Sequence, residues 1–110
     1  MTVREIVEQL DLEIVVANDL DREVSGGYTG DLLSNVMARG EAGNIWLTIQ
    51  GHQNVVAVAL LTEMSAVVVV EGFEMDDQAL DRAREKGINI LYSRKKAFEL
   101  AGQLYRLGLR

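Results

Sequence analysis

An α/β domain, with a mainly parallel sheet of about four strands and flanking helices, is the fold this sequence predicts. Short runs of Ile, Val and Leu alternate with longer stretches at helical spacing. Strands that alternate with helices imply right-handed crossovers and a parallel sheet. Glycines and capping residues fall between the runs, where turns are needed. Two segments, residues 25–34 (SGGYTGDLLS) and residues 48–61 (TIQGHQNVVAVALL), place a glycine turn between a strand-like run and a helical pattern. That is the order found at a ligand-facing edge of an α/β sheet.

The elements follow in order. Thr2 and Glu5 have the spacing of a capping box, and Val3, Ile6, Val7 and Leu10 share one helical face. Residues 12–17 read as a buried strand, and residues 18–30 as a polar loop with three glycines. Asp31 is the expected N-cap of a helix over residues 32–39, stopped by Gly40. Residues 44–50 read as a strand, with Ile45, Leu47 and Ile49 on one side and Trp46 and Thr48 on the other. Gly51 breaks it, and a helix is expected over residues 53–64. Residues 66–70 form a β-branched strand. Asp76 or Asp77 caps the next helix, and Gly87 sits where a left-handed C-cap belongs. Residues 88–92 read as a strand, and Ser93 as the cap of a last helix running to Leu107. Four turns, starting at Asn18, Gly51, Glu71 and Ser93, are expected at the carboxyl edge of the sheet, where ligands bind.

Composition narrows the function. With 110 residues, the expectation is one domain over residues 1–110. Aromatics are only 5%, so Val, Leu, Ile and Ala must fill the core. The net charge is −6 without a basic run, which argues against nucleic acid as a partner. There is no cysteine, so disulfides, zinc–thiolate sites and thiol catalysis are excluded. No signal peptide is evident, and residues 55–70 are interrupted by Thr62, Glu63 and Ser65. That stretch is shorter than the ~20 residues of a membrane span. The cytoplasm is the expected location.

Candidate ligand-binding residues come from the turns. Gly26, Gly27, Tyr28 and Gly30 form a loop that brings backbone N–H groups to the start of a helix, where anions bind. The competing reading is a turn that needs glycine at positive φ. The loop is not G-x-G-x-x-G and has no Walker lysine. Asp19, Asp21, Glu23 and Asp31 surround it with negative charge, offset only by Arg22. Their spacing is not that of an EF-hand, so no metal is expected. His52, the only histidine, stands with Asn54 at a strand–helix junction. It is either a polar ligand contact or the helix cap. Ser93 and Arg94, followed by Lys95 and Lys96, open the last helix and suit an anion, against the plainer reading of a solvated face.

Residues 55–61, VVAVALL, have no polar side. A surface helix shows one. A neighbouring helix or a second copy of the chain must cover them. The expected homodimer interface comprises Val55, Val56, Val58, Ala59 and Leu61. Thr48, Ser34 and Ser65 form no nucleophile arrangement with His52, and G-x-S-x-G is absent. No catalytic residue and no cofactor is expected.

The two glycine segments, followed by ALDRAREKGINIL (residues 79–91) and SRKKAFELAGQL (residues 93–104), resemble the DRTGG domain family in order and spacing. The resemblance covers residues 12–107. One departure is plain: the Asp-Arg that many members carry after the second glycine is His52-Gln53 here, so no role of that pair carries over. The resemblance implies a non-catalytic, dimerising regulatory domain. Similar domains accompany CBS domains in some pyrophosphatases and precede the catalytic part of some phosphotransacetylases. The amino-terminal domain of HPr kinase is distantly similar. A stand-alone copy would lack those catalytic partners. The expected function is therefore a regulatory module sensing a small phosphorylated or nucleotide ligand at the strand-end turns. The alternative is a pure adaptor that docks on a larger metabolic enzyme without a small-molecule ligand. A small enzyme with His52 as general base is the third reading.

Overall fold

The computed structural model describes residues 1–110. Its elements are α1 (Val3–Leu10), β1 (Glu13–Val16), β2 (Gly26–Thr29), α2 (Leu33–Arg39), β3 (Asn44–Thr48), α3 (Gln53–Leu61), β4 (Ala66–Val69), α4 (Asp77–Lys86), β5 (Ile90–Tyr92) and α5 (Ala97–Arg106). They build one sheet in the order β1-β5-β4-β3-β2. Strands β2 to β5 run parallel, and β1 lies antiparallel against β5. The expected α/β class and mainly parallel sheet are observed, with one more strand than the pattern gave. No helix is long and apolar enough to cross a membrane.

Side chains alternate across the sheet and build two cores. Trp46, Val67, Val69 and Ile90 pack against α2, α3 and α4, meeting Val36, Val55, Val56, Ala79 and Ala83. Ile45, Leu47, Ala66, Val68 and Leu91 pack against α1 and α5, meeting Val3, Ile6, Leu100 and Leu104. The central strand β4 reads AVVV and is buried throughout, as a strand covered on both faces must be.

Local chemistry sets several boundaries as expected. Glu5 N–H donates to Thr2 Oγ1 (3.2 Å), and Thr2 N–H donates to Glu5 Oε1 (2.9 Å), so the capping box forms. The bond from the Thr2 backbone, joined by the Thr2 side chain, holds the Glu5 carboxyl below its ordinary range. Helix α4 ends at Gly87 with φ 74°, the left-handed cap.

Other expectations need correction. Residues 26–29 are an edge strand rather than part of a loop, and none of Gly26, Gly27 and Gly30 has positive φ. Asp31 does not cap α2. Leu32 holds that position without a side-chain bond, because the Asp31 carboxylate is engaged by β3. Helix α3 stops at Leu61. Helix α5 begins at Ala97, not after Ser93. The Ser93 hydroxyl accepts from Lys95 N–H (3.1 Å), a local turn that delays the helix. Arg94 and Lys95 therefore lie ahead of α5 rather than in its first turn, and Lys96 is its N-cap.

The apolar helix α3 is covered by its own chain. Val55, Val56, Val58 and Ala59 are buried between the sheet and its neighbours α2 and α4. They have no surface to offer a second copy, which removes the ground for placing them in a dimer interface. Of the five residues expected there, only Leu61 is exposed.

Residues 17–25 carry the chain from one edge of the sheet to the other. They pass the amino ends of β4 and β5, because β1 is antiparallel. Asn89, 2% exposed, fixes the crossing. Its Oδ1 accepts from Asn18 N–H (2.8 Å) and Asp19 N–H (3.1 Å), and its Nδ2 donates to Asp19 O (2.8 Å) and Ser65 O (2.9 Å). The turn at Asn18 thus lies opposite the carboxyl edge, where it was expected. The acidic residues of this segment are dispersed into structure. Asp21 pairs with Arg4, Glu23 pairs with the N-terminal ammonium, and Asp19 accepts from Asp21 N–H. No three His, Cys, Asp or Glu side chains converge as a metal site would require.

Candidate functional site: the carboxyl edge of the sheet

Four turns meet at the carboxyl ends of β2, β3, β4 and β5. The amino end of β1 joins them because that strand runs the other way. The first two turns are tied by Asp31. Its carboxylate accepts from Thr48 Oγ1 and Ile49 N–H, both at 2.9 Å. Gly51 follows, where the segment leading into α4 passes close by. A Cβ on Gly51 would run into the Glu74 carbonyl, and Asp76 N–H donates to Gly51 O (2.9 Å). His52 is the N-cap of α3, its Nδ1 accepting from Asn54 N–H (3.1 Å). The capping reading of His52 and Asn54 thus has its hydrogen bond, and both side chains are exposed.

A cleft of about 360 Å³ opens beyond β4 and β5. It is lined by Ser93, Arg94 and Lys95 after β5, by Gly72, Phe73 and Glu74 after β4, and by Tyr92, Asp11 and Glu13. Its walls are braced from several sides. Glu71 N–H donates to Lys95 O (3.0 Å), and Gly72 N–H donates to Ser93 O (3.2 Å). These bonds require left-handed backbone at both residues, φ 63° and 78°. Tyr92 Oη accepts from Met75 N–H (2.8 Å). Lys95 Nζ donates to Leu10 O (3.0 Å) and Gln103 Oε1 (2.9 Å), joining the cleft to α1 and α5. The Glu71 carboxylate accepts from Ala97 N–H (3.1 Å) at the start of α5.

The cleft carries both signs of charge. Asp11, Glu13 and Glu74 stand against Arg94 and Lys95. Lys95 is engaged, whereas Arg94 takes part in none of the ion pairs, which join Met1 to Glu23, Arg4 to Asp21 and Arg84 to Asp81. Phe73 exposes 50% of its surface here, which leaves its ring free to stack.

Ser93 and Arg94 are therefore brought together in one cleft. The other sequence candidates are not. Gly26, Gly27 and Tyr28 lie in β2, three strand spacings from β5, or roughly 14 Å away. Gly30 follows that strand, and its carbonyl accepts from Trp46 Nε1 (2.8 Å). Gly27 and Tyr28 line a separate apolar groove of about 220 Å³ beneath α5, with Leu47, Ala101, Leu104 and Tyr105. His52 and Asn54 share the carboxyl edge but do not line the cleft. Sequence reasoning missed Phe73 and the contribution of Asp11 and Glu13. A Phe directly after Gly72 in an expected strand-end turn was a usable signal for the first. Nothing local marks the other two, because only the direction of β1 brings them here.

A family model described as the DRTGG domain matches residues 5–107. Among solved structures, the chain is similar to the CBS and DRTGG domains of the regulatory region of Clostridium perfringens pyrophosphatase, complexed with the activator diadenosine tetraphosphate. The TM-score is 0.70 at 13% identity, over 98% of this chain. The chain spans 47% of that structure's length. No curated protein matches.

Proposed function

The chain belongs to the DRTGG domain family, and we propose that it is a non-catalytic regulatory module of the cytoplasm, acting as a homodimer that takes a nucleotide in the strand-end cleft. The observation that carries this reading is Arg94, unpaired, sharing that cleft with the Ser93 hydroxyl and the half-exposed Phe73 ring. A guanidinium and a hydroxyl suit phosphate oxygens. An exposed ring suits a base, at about 1–3 kcal/mol for a stacked pair.

The acidic residues sharpen the ligand class. Asp11, Glu13 and Glu74 repel a bare phosphate. They accept hydrogen bonds from ribose hydroxyls or a base amino group. A nucleotide, with its charge at one end and donors at the other, satisfies both halves of the cleft. The pyrophosphatase regulatory region, similar in fold and solved with a dinucleotide, supports the same class. Residues 93–95 lead into α5, and Lys95 holds Gln103 on that helix, so occupancy is relayed to α5.

Calorimetric titration of the purified chain tests this. Diadenosine tetraphosphate and adenosine triphosphate are expected to bind more tightly than inorganic phosphate. Arg94→Ala is expected to raise their dissociation constants about 10- to 100-fold, the worth of a charged hydrogen bond. Heat from none of the three would favour the adaptor reading.

A further inference from the structure

We propose that two copies of this chain pair through α5, antiparallel, about a twofold axis at the Ala101–Gly102 step. This specifies the surface of the homodimer above and rests on that reading. Phe98 is 92% exposed and Tyr105 60% exposed, the two most exposed aromatic rings in the chain. With Gly102 they occupy successive turns of one helical stripe, at the spacing of an apolar face. A Cβ built on Gly102 would meet nothing within 4 Å, so the stripe is open at its centre. Within the chain only the Arg110 guanidinium, 3.9 Å over the Tyr105 ring, reaches this face, and it leaves Phe98 and most of Tyr105 open.

The stripe is complementary to itself. Phe98 and Tyr105 stand equally far on either side of the Ala101–Gly102 step. Two antiparallel copies of α5 crossing at that step set Phe98 of each against Tyr105 of the other. The small pair in the middle lets the helix axes approach. The apolar groove beside Tyr105, with Ala101, Leu104 and Leu109 in its wall, opens where the partner copy's Phe98 arrives.

Charge is compatible with the same pairing, its centre displaced by one residue. Glu99 and Arg106 share one flank of the stripe, and neither forms an ion pair within the chain. In an antiparallel twofold pair, like flanks meet. Glu99 of one copy then lies about 3 Å along the axis from Arg106 of the other, twice, a stagger that both long side chains can span. A stable dimer buries about 1,200–2,000 Å² in all. A helix of this length, about 15 Å, is too short to supply that alone. The adjoining groove supplies more apolar contact. This arrangement is isologous and closed, so it stops at two copies. It also puts the paired face on the helix that Glu71 and Lys95 join to the cleft.

Sedimentation equilibrium of the full chain tests the proposal. The unmodified chain is expected to be a dimer. Phe98→Glu, at a site exposed in the single chain, is expected to raise the dimer dissociation constant at least about tenfold. Glu99→Arg and Arg106→Glu are each expected to weaken pairing, and the double reversal to restore it to within about threefold. A Cβ at Gly102 has no neighbour within 4 Å, so Gly102→Leu is expected to stay folded and to lose the dimer. A dimer indifferent to Phe98→Glu and Gly102→Leu would overturn the α5 face while leaving the homodimer reading intact. A monomeric unmodified chain would overturn both.

Discussion

At the scale of single residues, two positions shape the fold without lining the cleft. Asn89 is a buried amide whose oxygen and nitrogen are both fully engaged, clamping the crossing segment beneath β4 and β5. Asn89→Ala removes the side-chain partner of two backbone donors and two carbonyls, so it is expected to cost about 3 kcal/mol by urea denaturation. Gly51 is the other. Its lack of a Cβ admits the Glu74 backbone, and Glu74 borders the cleft. Arg94 differs from both. It is exposed and forms no ion pair, so its loss is expected to leave folding unchanged. Sequence reasoning reached Ser93 and Arg94 because a hydroxyl and three basic residues stood at the expected start of the last helix, although α5 begins only at Ala97. It did not reach Asn89, because an Asn inside an apolar run reads as an interruption until its four partners are known.

At the scale of elements, caps and apolar runs were legible because they are local. Thr2 with Glu5, the run 66–70 and Gly87 all formed as the pattern required. Thr2→Ala is expected to cost about 1 kcal/mol of stability. The Glu5 carboxyl titrates below its unfolded value. Its contribution is therefore present above that unfolded value and lost as the pH falls through the lowered folded one. Stability curves of the chain and of Glu5→Gln should converge in that acid window. Strand β2 was not legible. Its four residues, GGYT, carry no apolar alternation, and an edge strand needs none. The direction of β1 was not legible either, since a short apolar run reads alike both ways. Helix α3 shows the limit of apolarity as a guide to interfaces. Its uniform surface is explained by the sheet and two flanking helices. Val58→Glu is accordingly expected to unfold the chain, visible as lost cooperative melting, rather than to yield folded monomers.

At the scale of the whole molecule, the antiparallel β1 is what turns a strand-end edge into a cleft with two kinds of charge. It brings Asp11 and Glu13 beside Ser93 and Arg94, and the β4 turn adds Phe73. The fold class and the chemistry of Arg94 followed from the sequence, whereas the cleft followed from strand order and direction, which are properties of the assembled sheet. The same assembly leaves α5 with its inner face in the core, its start tied to the cleft by Glu71, and its outer stripe largely exposed, with only Arg110 laid over Tyr105. A regulatory module needs such a link between a ligand site and a surface.

The most direct test of the ligand reading is a thermal melt of the purified chain with diadenosine tetraphosphate, set beside the same melt of Arg94→Ala. A ligand at one hundred times its dissociation constant stabilises by about 2.7 kcal/mol, which for a domain of this size raises the midpoint by several degrees. The account predicts that rise in the unmodified chain, and its loss in an Arg94→Ala variant whose own melting point is unchanged. No rise, or an equal rise in the variant, would contradict a nucleotide site in this cleft.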